Sequence, residues 1–309
     1  MMKNKNPKKL LVLIDGSDRS INTVRYVAKN VSFHGMQIVI FHAFSAVPES
    51  YWDLENDLRS KKVIKQARAW EISQKRLIDN YMTQAKQLLV KSGIPEKSIN
   101  TKVKNRKAGI ARDIIDEAKN GYTAVIARRR GAGALRGMVL GSVATKLTEK
   151  LVFLPLILVG KKPPGDKVLI GFDGSQGAMK AVDFVASIYG GLNYQVELLH
   201  VIRGDEPGLP SMDMVEEYSQ EIINNVTPAF DIAVNKLIKS GFRSGSVSIK
   251  FKKRKISRSK TIVDEARKNN FGTIVMGRKG WSRTRNFFIG RVTNKVIHLA
   301  RDRSVWIIR

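Results

Sequence analysis

Short apolar runs alternate along this chain with longer segments in which apolar residues recur every three or four positions. The runs VLIGF (168–172) and TIVM (273–276) are almost wholly apolar, as expected of strands buried on both faces of a sheet. The periodic segments predict helices, including a long one over about 212–240 that Gly241 ends. Strands that alternate with helices indicate an α/β fold with parallel strands.

The same pattern occurs twice. LLVLIDGSDRS (10–20) resembles VLIGFDGSQGA (168–178), and IIDEAKNGYTAVIARRRG resembles IVDEARKNNFGTIVMGRKG further along each half. Repetition of this length indicates two copies of one structural unit. We predict one domain at residues 1–160 and a second at 166–309, joined by a linker at 161–165 where Pro and Gly break regular structure.

Each copy contains five predicted strands. The predicted fold class is α/β, with two tandem flavodoxin-like (Rossmann-like) domains, each a five-stranded parallel sheet with helices on both faces. The last strands, LILV (156–159) and VWII (305–308), are apolar on both faces and need cover.

Composition narrows the partners. The 309 residues include no cysteine, which excludes disulfides, thiol catalysis and cysteine metal sites. No apolar run is long enough to cross a bilayer, and no export signal is visible, so no membrane span and a cytoplasmic location are expected. The net charge of +28 favours polyanionic partners, or reflects a general bias towards solubility.

Several kinds of active site are excluded by spacing. Neither copy contains the GxxxxGK[ST] phosphate loop, and the four histidines form no catalytic triad or metal pattern. His42 and His200 lie mid-strand and are interpreted as packing or capping residues. Asp113, Asp116 and Glu117 have helical spacing and are interpreted as a solvated helix face. We predict no catalytic residue, no metal site and no enzyme, with slow hydrolysis of bound ATP left open.

The second copy carries a glycine motif after its fourth strand. Gly277 and Gly280 are separated by two residues, and Gly290 follows after nine more. With Asp173 after the first strand, this pattern resembles the universal stress protein family, whose nucleotide-binding members carry G-2x-G-9x-G-[S/T] there. The resemblance covers both halves and implies a stress-response protein that binds an adenine nucleotide as a sensor or adaptor. Single-domain members of that family commonly dimerise through their last strand. The resemblance therefore also implies that LILV and VWII pair within the chain as a pseudo-dimer, with further homo-dimerisation left open.

The resemblance also implies where ATP, or another adenine nucleotide with or without Mg²⁺, would bind. Asp173 would contact the adenosine portion, Val201 would lie beside the adenine, and the glycines would admit ribose and phosphates. The implied residues of the second copy are Asp173, Val201, Gly277, Gly280, Gly290, Arg291, Val292 and Thr293. Their counterparts in the first copy are Asp15, Ala43, Gly131, Gly141, Ser142 and Val143. Arg278, Lys279 and Arg291 are expected to supply positive charge.

Both copies depart from the family pattern. In the first, Arg128 replaces the opening glycine, and its side chain obstructs the backbone approach or strains the backbone. In the second, Arg291 replaces the hydroxyl residue. That arginine either binds phosphate in a forked contact or fills the site. The second copy is favoured as the half that binds the nucleotide.

Basic clusters repeat as well, and they support a second interpretation. KVKNRK (102–107) corresponds to KFKKRK (250–255), each at the end of a predicted third strand. They are interpreted as a basic rim that collects anions, or as edge lysines that discourage aggregation. The alternative function is therefore a polyanion- or nucleic-acid-binding stress protein that uses basic loops, with vestigial nucleotide pockets.

Overall fold

The computed structural model describes residues 8–17, 20–47, 61–130, 139–204, 212–253, 255–281 and 288–309, without the side chains of 212–215. The described residues form ten strands and eight α-helices. The strands are β1 Lys9–Leu13, β2 Gln37–Phe44, β3 Ile99–Asn105, β4 Ala124–Arg128, β5 Leu156–Val159, β6 Lys167–Gly171, β7 Gln195–Val201, β8 Val247–Lys252, β9 Thr273–Gly277 and β10 Ser304–Ile308. The helices are α1 Ile21–Lys29, α2 Lys61–Lys91, α3 Ile110–Glu117, α4 Ser142–Lys150, α5 Gln176–Tyr189, α6 Met212–Lys239, α7 Arg258–Lys268 and α8 Arg291–Leu299.

All ten strands belong to one sheet, in the order β3-β2-β1-β4-β5-β10-β9-β6-β7-β8. Each half has the order of the first five strands of a Rossmann sheet, and every pairing within a half is parallel. The halves meet where β10 pairs antiparallel with β5, with Trp306 opposite Ile157. The predicted α/β class and the predicted pairing of the last strands are confirmed.

Alternating side chains along each strand supply two separate cores. Leu10 and Val12 of β1 pack on the face covered by α1, α2, α5 and α6, and Leu11 and Leu13 pack on the face covered by α3, α4, α7 and α8. This is the period of two expected of a strand. Because both faces are covered, the strands read in the sequence as continuous apolar runs.

An aromatic cluster joins the halves on the first of these faces. The indole of Trp306 is fully buried, and its N–H donates to the Tyr26 hydroxyl at 2.9 Å. Phe33 stacks on Trp306 from the first half, and Tyr189 stacks on it from the second, with ring centroids 6.1 and 5.3 Å away. The junction is therefore packed like a domain interior.

Two buried arginines join the halves on the opposite face. Arg129, just after β4, donates to the carbonyl oxygens of Ile297 at 2.6 Å and Arg303 at 3.0 Å, at and beyond the end of α8. Arg278, just after β9, donates to the carbonyls of Thr148, Glu149 and Leu151 at the end of α4. Each arginine thus caps the C-terminus of a helix in the other half, where carbonyl groups lack intrahelical partners and the helix dipole is negative.

Burial lowers the pKa of both arginines to about 10, so they remain charged at neutral pH.

Among the helices that the structure describes, none is long and apolar enough to cross a membrane.

Candidate functional site

The turn after β6 fixes the position of Asp173. Gly174 has φ of +76°, a conformation that favours glycine. The backbone N–H of Ser175 donates to Oδ1 of Asp173 at 3.0 Å, and the Ser175 hydroxyl accepts from Ala178 N–H at 3.2 Å. The DGS sequence therefore both starts α5 and holds the Asp173 carboxylate at the carboxyl end of β6.

A histidine on the neighbouring strand supports the same turn. His200 Nδ1 donates to the Phe172 carbonyl at 2.8 Å, and His42 makes the matching bond to Ile14 at 3.0 Å in the first half. Burial lowers the pKa of His200 and of His42 below the ordinary value, despite the opposing effect of these bonds. The predicted packing or capping role is confirmed for both histidines.

Three of the predicted residues of the second half come together beyond β6 and β9. A Cβ built on Gly280 would lie 2.5 Å from Oδ2 of Asp173, so the carboxylate lies directly against the glycine backbone. A Cβ on Gly290 would lie 3.8 Å from the N–H nitrogen of Gly280. The structure therefore brings Asp173, Gly280 and Gly290 to one edge of the sheet.

Helix α8 starts at this edge. Gly290 is its N-cap and donates its own N–H to the Arg278 carbonyl at 2.8 Å. The first turn, which includes Arg291, Val292 and Thr293, presents N–H groups that lack intrahelical acceptors, at the positive end of the helix dipole. The Thr293 hydroxyl is already used, because it donates to the Gly277 carbonyl at 2.8 Å. Thr293 can therefore offer a ligand its backbone N–H, while its hydroxyl stabilises the loop.

Gly277 is buried against the start of α5. A Cβ at Gly277 would lie 2.5 Å from the backbone of Gly177, and a Cβ at Gly177 would lie 2.1 Å from the Lys279 carbonyl oxygen. Both positions therefore require glycine for the close approach of β9 to α5. This contact accounts for Gly277 by packing alone. Its predicted contact with the ribose or phosphates stays a prediction.

The charge around the site differs from what the sequence suggested. The expectation that Arg278 supplies charge to a phosphate is wrong, because its guanidinium is buried at the C-terminus of α4. Its Nε also donates to the Phe288 carbonyl at 2.8 Å, which ties the end of the glycine loop to the domain junction. Lys279 and Arg291 are exposed on the loop and at the first position of α8. Among the described residues of this segment, they are the cations whose side chains are exposed.

Two further residues border the site without having been predicted for it. Nε of Arg258 donates to the carbonyl of buried Val201 at 3.3 Å, beside the position expected for adenine. The indole N–H of Trp281 donates to the Asp173 carbonyl at 2.6 Å while its ring stays exposed. Repetition could not reveal Arg258, because its counterpart in the first half is Ile110. The one available signal was that an arginine begins α7 directly after its N-cap, Ser257.

The first half keeps only part of this arrangement. Ser17 donates to Asp15 from both its N–H and its hydroxyl, at 3.1 and 2.6 Å. Gly141 is the N-cap of α4 and donates to Arg129 as Gly290 does to Arg278. The predicted residues Ser142 (exposed), Val143 (half-buried) and Ala43 (buried) lie at the first and second positions of α4 and near the end of β2.

The first-half glycine loop departs from the second. Arg128, half-buried at the end of β4, stands where the second half has Gly277, and its predicted obstruction of the site stays a prediction. The predicted residue Gly131 lies outside the described residues. Among the described residues, no group of three His, Asp or Glu side chains is placed to hold a metal ion.

The basic clusters at the outer strands are partly neutralised. Lys102 and Lys104 of β3 form ion pairs with Glu117 at 2.8 and 2.6 Å. Lys250 and Lys252 of β8 pair with Glu265 in the same way, at 2.5 and 3.1 Å. The ion pairs reduce the net charge of these four lysines, and their interpretation as a basic rim or as edge lysines that discourage aggregation stays a prediction. The prediction of a solvated face is wrong for Glu117, whose side chain is buried.

Glu117 is held as an anion by its partners. Burial raises its pKa, but hydrogen bonds from Lys102, Lys104 and Tyr122 outweigh burial and lower the pKa to about 2. A pKa below the unfolded value of about 4.5 stabilises the fold above pH 4.5, and the stabilisation is lost as pH falls towards 2. The edge strand β3 is therefore tied to α3 by a group that titrates only in strong acid.

We expect Glu117→Gln to remove roughly 2 kcal/mol from the free energy of unfolding at pH 7. The variant should also lose part of the decline in stability that the wild type shows between pH 4.5 and 2. Urea titrations across this range measure both effects, with Asp116→Asn, on the exposed face of the same helix, as the control. Identical pH profiles for wild type and Glu117→Gln would contradict the assignment.

Comparison with protein families gives two matches in this chain. The model of the universal stress protein family matches residues 6–152 and again residues 165–309. The two matches together cover nearly the whole sequence, in agreement with the internal repeat. No curated protein is significantly similar to the chain in sequence.

Solved structures with the same fold span the full chain. A universal stress protein from Archaeoglobus fulgidus DSM 4304 is 16% identical, with a TM-score of 0.58 over 97% of this chain and 96% of that one. A functionally unknown protein from Pseudomonas aeruginosa PAO1 is 14% identical, with a TM-score of 0.58 over 98% and 92% of the two chains. At these identities the similarity establishes the shared fold.

Proposed function

Because the chain belongs to the universal stress protein family, we propose that it acts in the stress response by binding an adenine nucleotide in its second half. The site lies where β6, β7 and β9 end, and the bound nucleotide makes the protein a sensor or adaptor. In open α/β sheets, ligands bind at this edge, next to the point where the strand order reverses. Here the order reverses between β6 and β9.

The observation that carries the proposal is the meeting of a carboxylate, two glycines and a helix N-terminus. Asp173 lies against Gly280, and Gly280 lies beside Gly290 at the start of α8. An acceptor for a ribose hydroxyl and backbone donors for phosphate are thus adjacent, as a nucleoside phosphate requires.

The described residues fit such a ligand. The first turn of α8, with Val292 and Thr293, supplies N–H groups for phosphate oxygens. Lys279 and Arg291 supply exposed charge. The end of β7 at Val201 would lie beside the adenine, next to the Arg258 guanidinium that already binds the Val201 carbonyl. With ATP, the phosphates would also present oxygens to Mg²⁺. We assign no catalytic residue, since binding alone accounts for these groups.

The first half is proposed to bind nucleotide weakly or not at all. Its opening glycine is replaced by Arg128, and its Asp15 carboxylate already accepts two hydrogen bonds from Ser17. The N-terminus of α4 keeps its N-cap Gly141, but a helix N-terminus without the glycine loop provides only part of the site. One nucleotide per chain is the expected stoichiometry.

Mass spectrometry of small molecules released from the denatured, freshly purified protein tests the proposal without assuming a ligand. We expect an adenine nucleotide to be released from the wild type and to be depleted in an Asp173→Ala preparation. Release of a different class of small molecule that depends on Asp173 would contradict the proposal. Release of nucleic acid fragments that is insensitive to Asp173 would favour the polyanion interpretation.

Arg291 is predicted to assist binding rather than to block it. Its side chain is exposed at the first position of α8, so it is not buried in the site. We expect Arg291→Ala to weaken ATP binding about tenfold, because a charge-assisted hydrogen bond contributes about 1.5 kcal/mol or more. Calorimetric titration measures the change, with Lys295→Ala, an exposed cation one turn further along α8, as the control.

A tighter complex with Arg291→Ala, and tighter still with Arg291→Ser, would show that the arginine occupies the phosphate position instead.

A further inference from the structure

The N-terminal half of α2, residues 61–77, extends past the core that holds the rest of the helix. The core cluster includes four side chains of the C-terminal half: Ile78, Met82, Ala85 and Leu89. In residues 61–77, all of them described, Ile64 is the one buried side chain, and it belongs to neither core cluster. Packing against the sheet therefore does not determine which residue types occur on the surface of residues 61–77.

An apolar row runs along the exposed side of this segment. Val63, Trp70 and Leu77 are 48%, 49% and 45% exposed. They are seven residues apart, which is close to two helical turns, so they lie in one line along the helix. Large exposed apolar side chains that form a line, rather than occurring singly, indicate a contact surface.

Positive charge flanks the row and covers the opposite side of the helix. Residues 61–77 contain six basic side chains and one acid. The acid, Glu71, is paired with Lys75 at 2.7 Å. Lys62 and Arg76 are exposed and directly precede Val63 and Leu77, so they lie about 100° from the row around the helix. The segment is a basic helix with an exposed apolar row that contains a tryptophan. A fourth exposed apolar side chain, Ile72, lies on the other side of the helix.

The second half provides an internal comparison, because α6 is the counterpart of α2. The core residues repeat at an offset of 148: Val226, Phe230, Ala233 and Leu237 of α6 belong to the same core cluster. Of the exposed row, only the aromatic position repeats, where Trp70 corresponds to Tyr218, which is 38% exposed. Helix α2 has eight basic and two acidic residues, whereas α6 has two basic and five acidic ones. At matched positions, Arg68 becomes Glu216 and Leu77 becomes Asn225. The fold therefore does not require a basic surface, or a complete apolar row, at this position.

We propose that residues 61–77 of α2 dock the protein on an anionic lipid bilayer surface. Val63, Trp70 and Leu77 enter the interfacial layer, where tryptophan is favoured, and the lysines and arginines face the lipid phosphates. A second copy of this helix is a poor partner, because both surfaces carry strong positive charge. A nucleic acid backbone would use the charge but not the apolar row.

Co-sedimentation of the full-length protein with vesicles tests this surface. We expect binding to vesicles of phosphatidylcholine with roughly 30% phosphatidylglycerol, which present a negative surface, and little binding to phosphatidylcholine alone. Trp70→Ser with Leu77→Asn should weaken binding about tenfold or more. Lys62→Gln, Lys65→Gln and Arg76→Gln together should weaken it on the order of 100-fold.

Ile232→Ser is the matched control, because Ile232 is 53% exposed on α6 and lies outside the proposed surface. It should leave vesicle binding unchanged, and thermal melts should show all variants folded. Equal binding to neutral and anionic vesicles would overturn the proposal. So would anionic binding that is insensitive to the Trp70 and Leu77 changes, which would indicate charge alone. A third result would also overturn the proposal: no vesicle binding, together with self-association or DNA duplex binding that depends on these residues. That result would assign the surface to another partner.

Discussion

Replacing Arg278 with methionine is expected to lower the free energy of unfolding by about 3 kcal/mol. The guanidinium is buried and donates to carbonyls of Thr148, Glu149 and Leu151 in the other half of the chain. Methionine fills a similar volume but leaves these carbonyls without a donor, at the negative end of the α4 dipole. This loss of stability is partly offset, because the substitution also removes the free-energy cost of burying a charged group.

Equilibrium unfolding in urea measures this loss. Arg129→Met should show a similar decrease, because Arg129 caps α8 from the first half in the same manner. The matched control is Arg301→Met, an exposed arginine just beyond α8, which should change stability by less than about 0.5 kcal/mol. If Arg278→Met is no less stable than Arg301→Met, the two arginines do not hold the halves together.

Asp173→Ala is expected to weaken nucleotide binding by roughly 10- to 150-fold. A carboxylate that accepts a ribose hydroxyl contributes about 1.5–3 kcal/mol, which corresponds to that range. The same change also removes the acceptor for the Ser175 N–H and so loosens the turn that faces Gly280. Asp173→Asn keeps an acceptor without charge and should lose less.

The repeat supplies the control for this experiment. Asp15 occupies the same position in the first half, where Ser17 holds it in a similar turn. Asp15→Ala should leave the affinity within about twofold, because the second half is proposed to carry the site. Equal losses from Asp15→Ala and Asp173→Ala would contradict the assignment of binding to one half.

Most of the fold could be predicted because it follows from patterns that repeat. The apolar runs of β1 and β6 and the periodic segments between strands identified one α/β unit used twice. The pairing of β5 with β10 was predicted from two last strands that are apolar on both faces together with the resemblance to a family whose single-domain members dimerise through that strand. What the sequence concealed was the junction beyond those strands. Arg278 was expected to supply charge to the loop. Its burial, like that of Arg129, depends on where α4 and α8 end in the other half.

The candidate site was only partly predictable. Asp173, Gly280 and Gly290 were found because their spacing matches a family motif. Gly277 fits the same motif, but a contact with Gly177 that spacing does not reveal explains it equally well. Arg258 escaped notice because nothing at the matching position of the first half resembles it. Spacing in the sequence identifies positions where the backbone requires glycine. It does not predict where long cationic side chains point, because their direction depends on tertiary contacts.

Calorimetric titration of the wild-type protein with ATP at moderate salt tests the central claim most directly. The account predicts a single saturable site per chain, retained in Asp15→Ala and lost or greatly weakened in Asp173→Ala. The affinity should fall only modestly with rising ionic strength, because backbone donors and a carboxylate share the binding with charge. Two equivalent sites per chain, or no saturable binding by the wild type, would contradict the account.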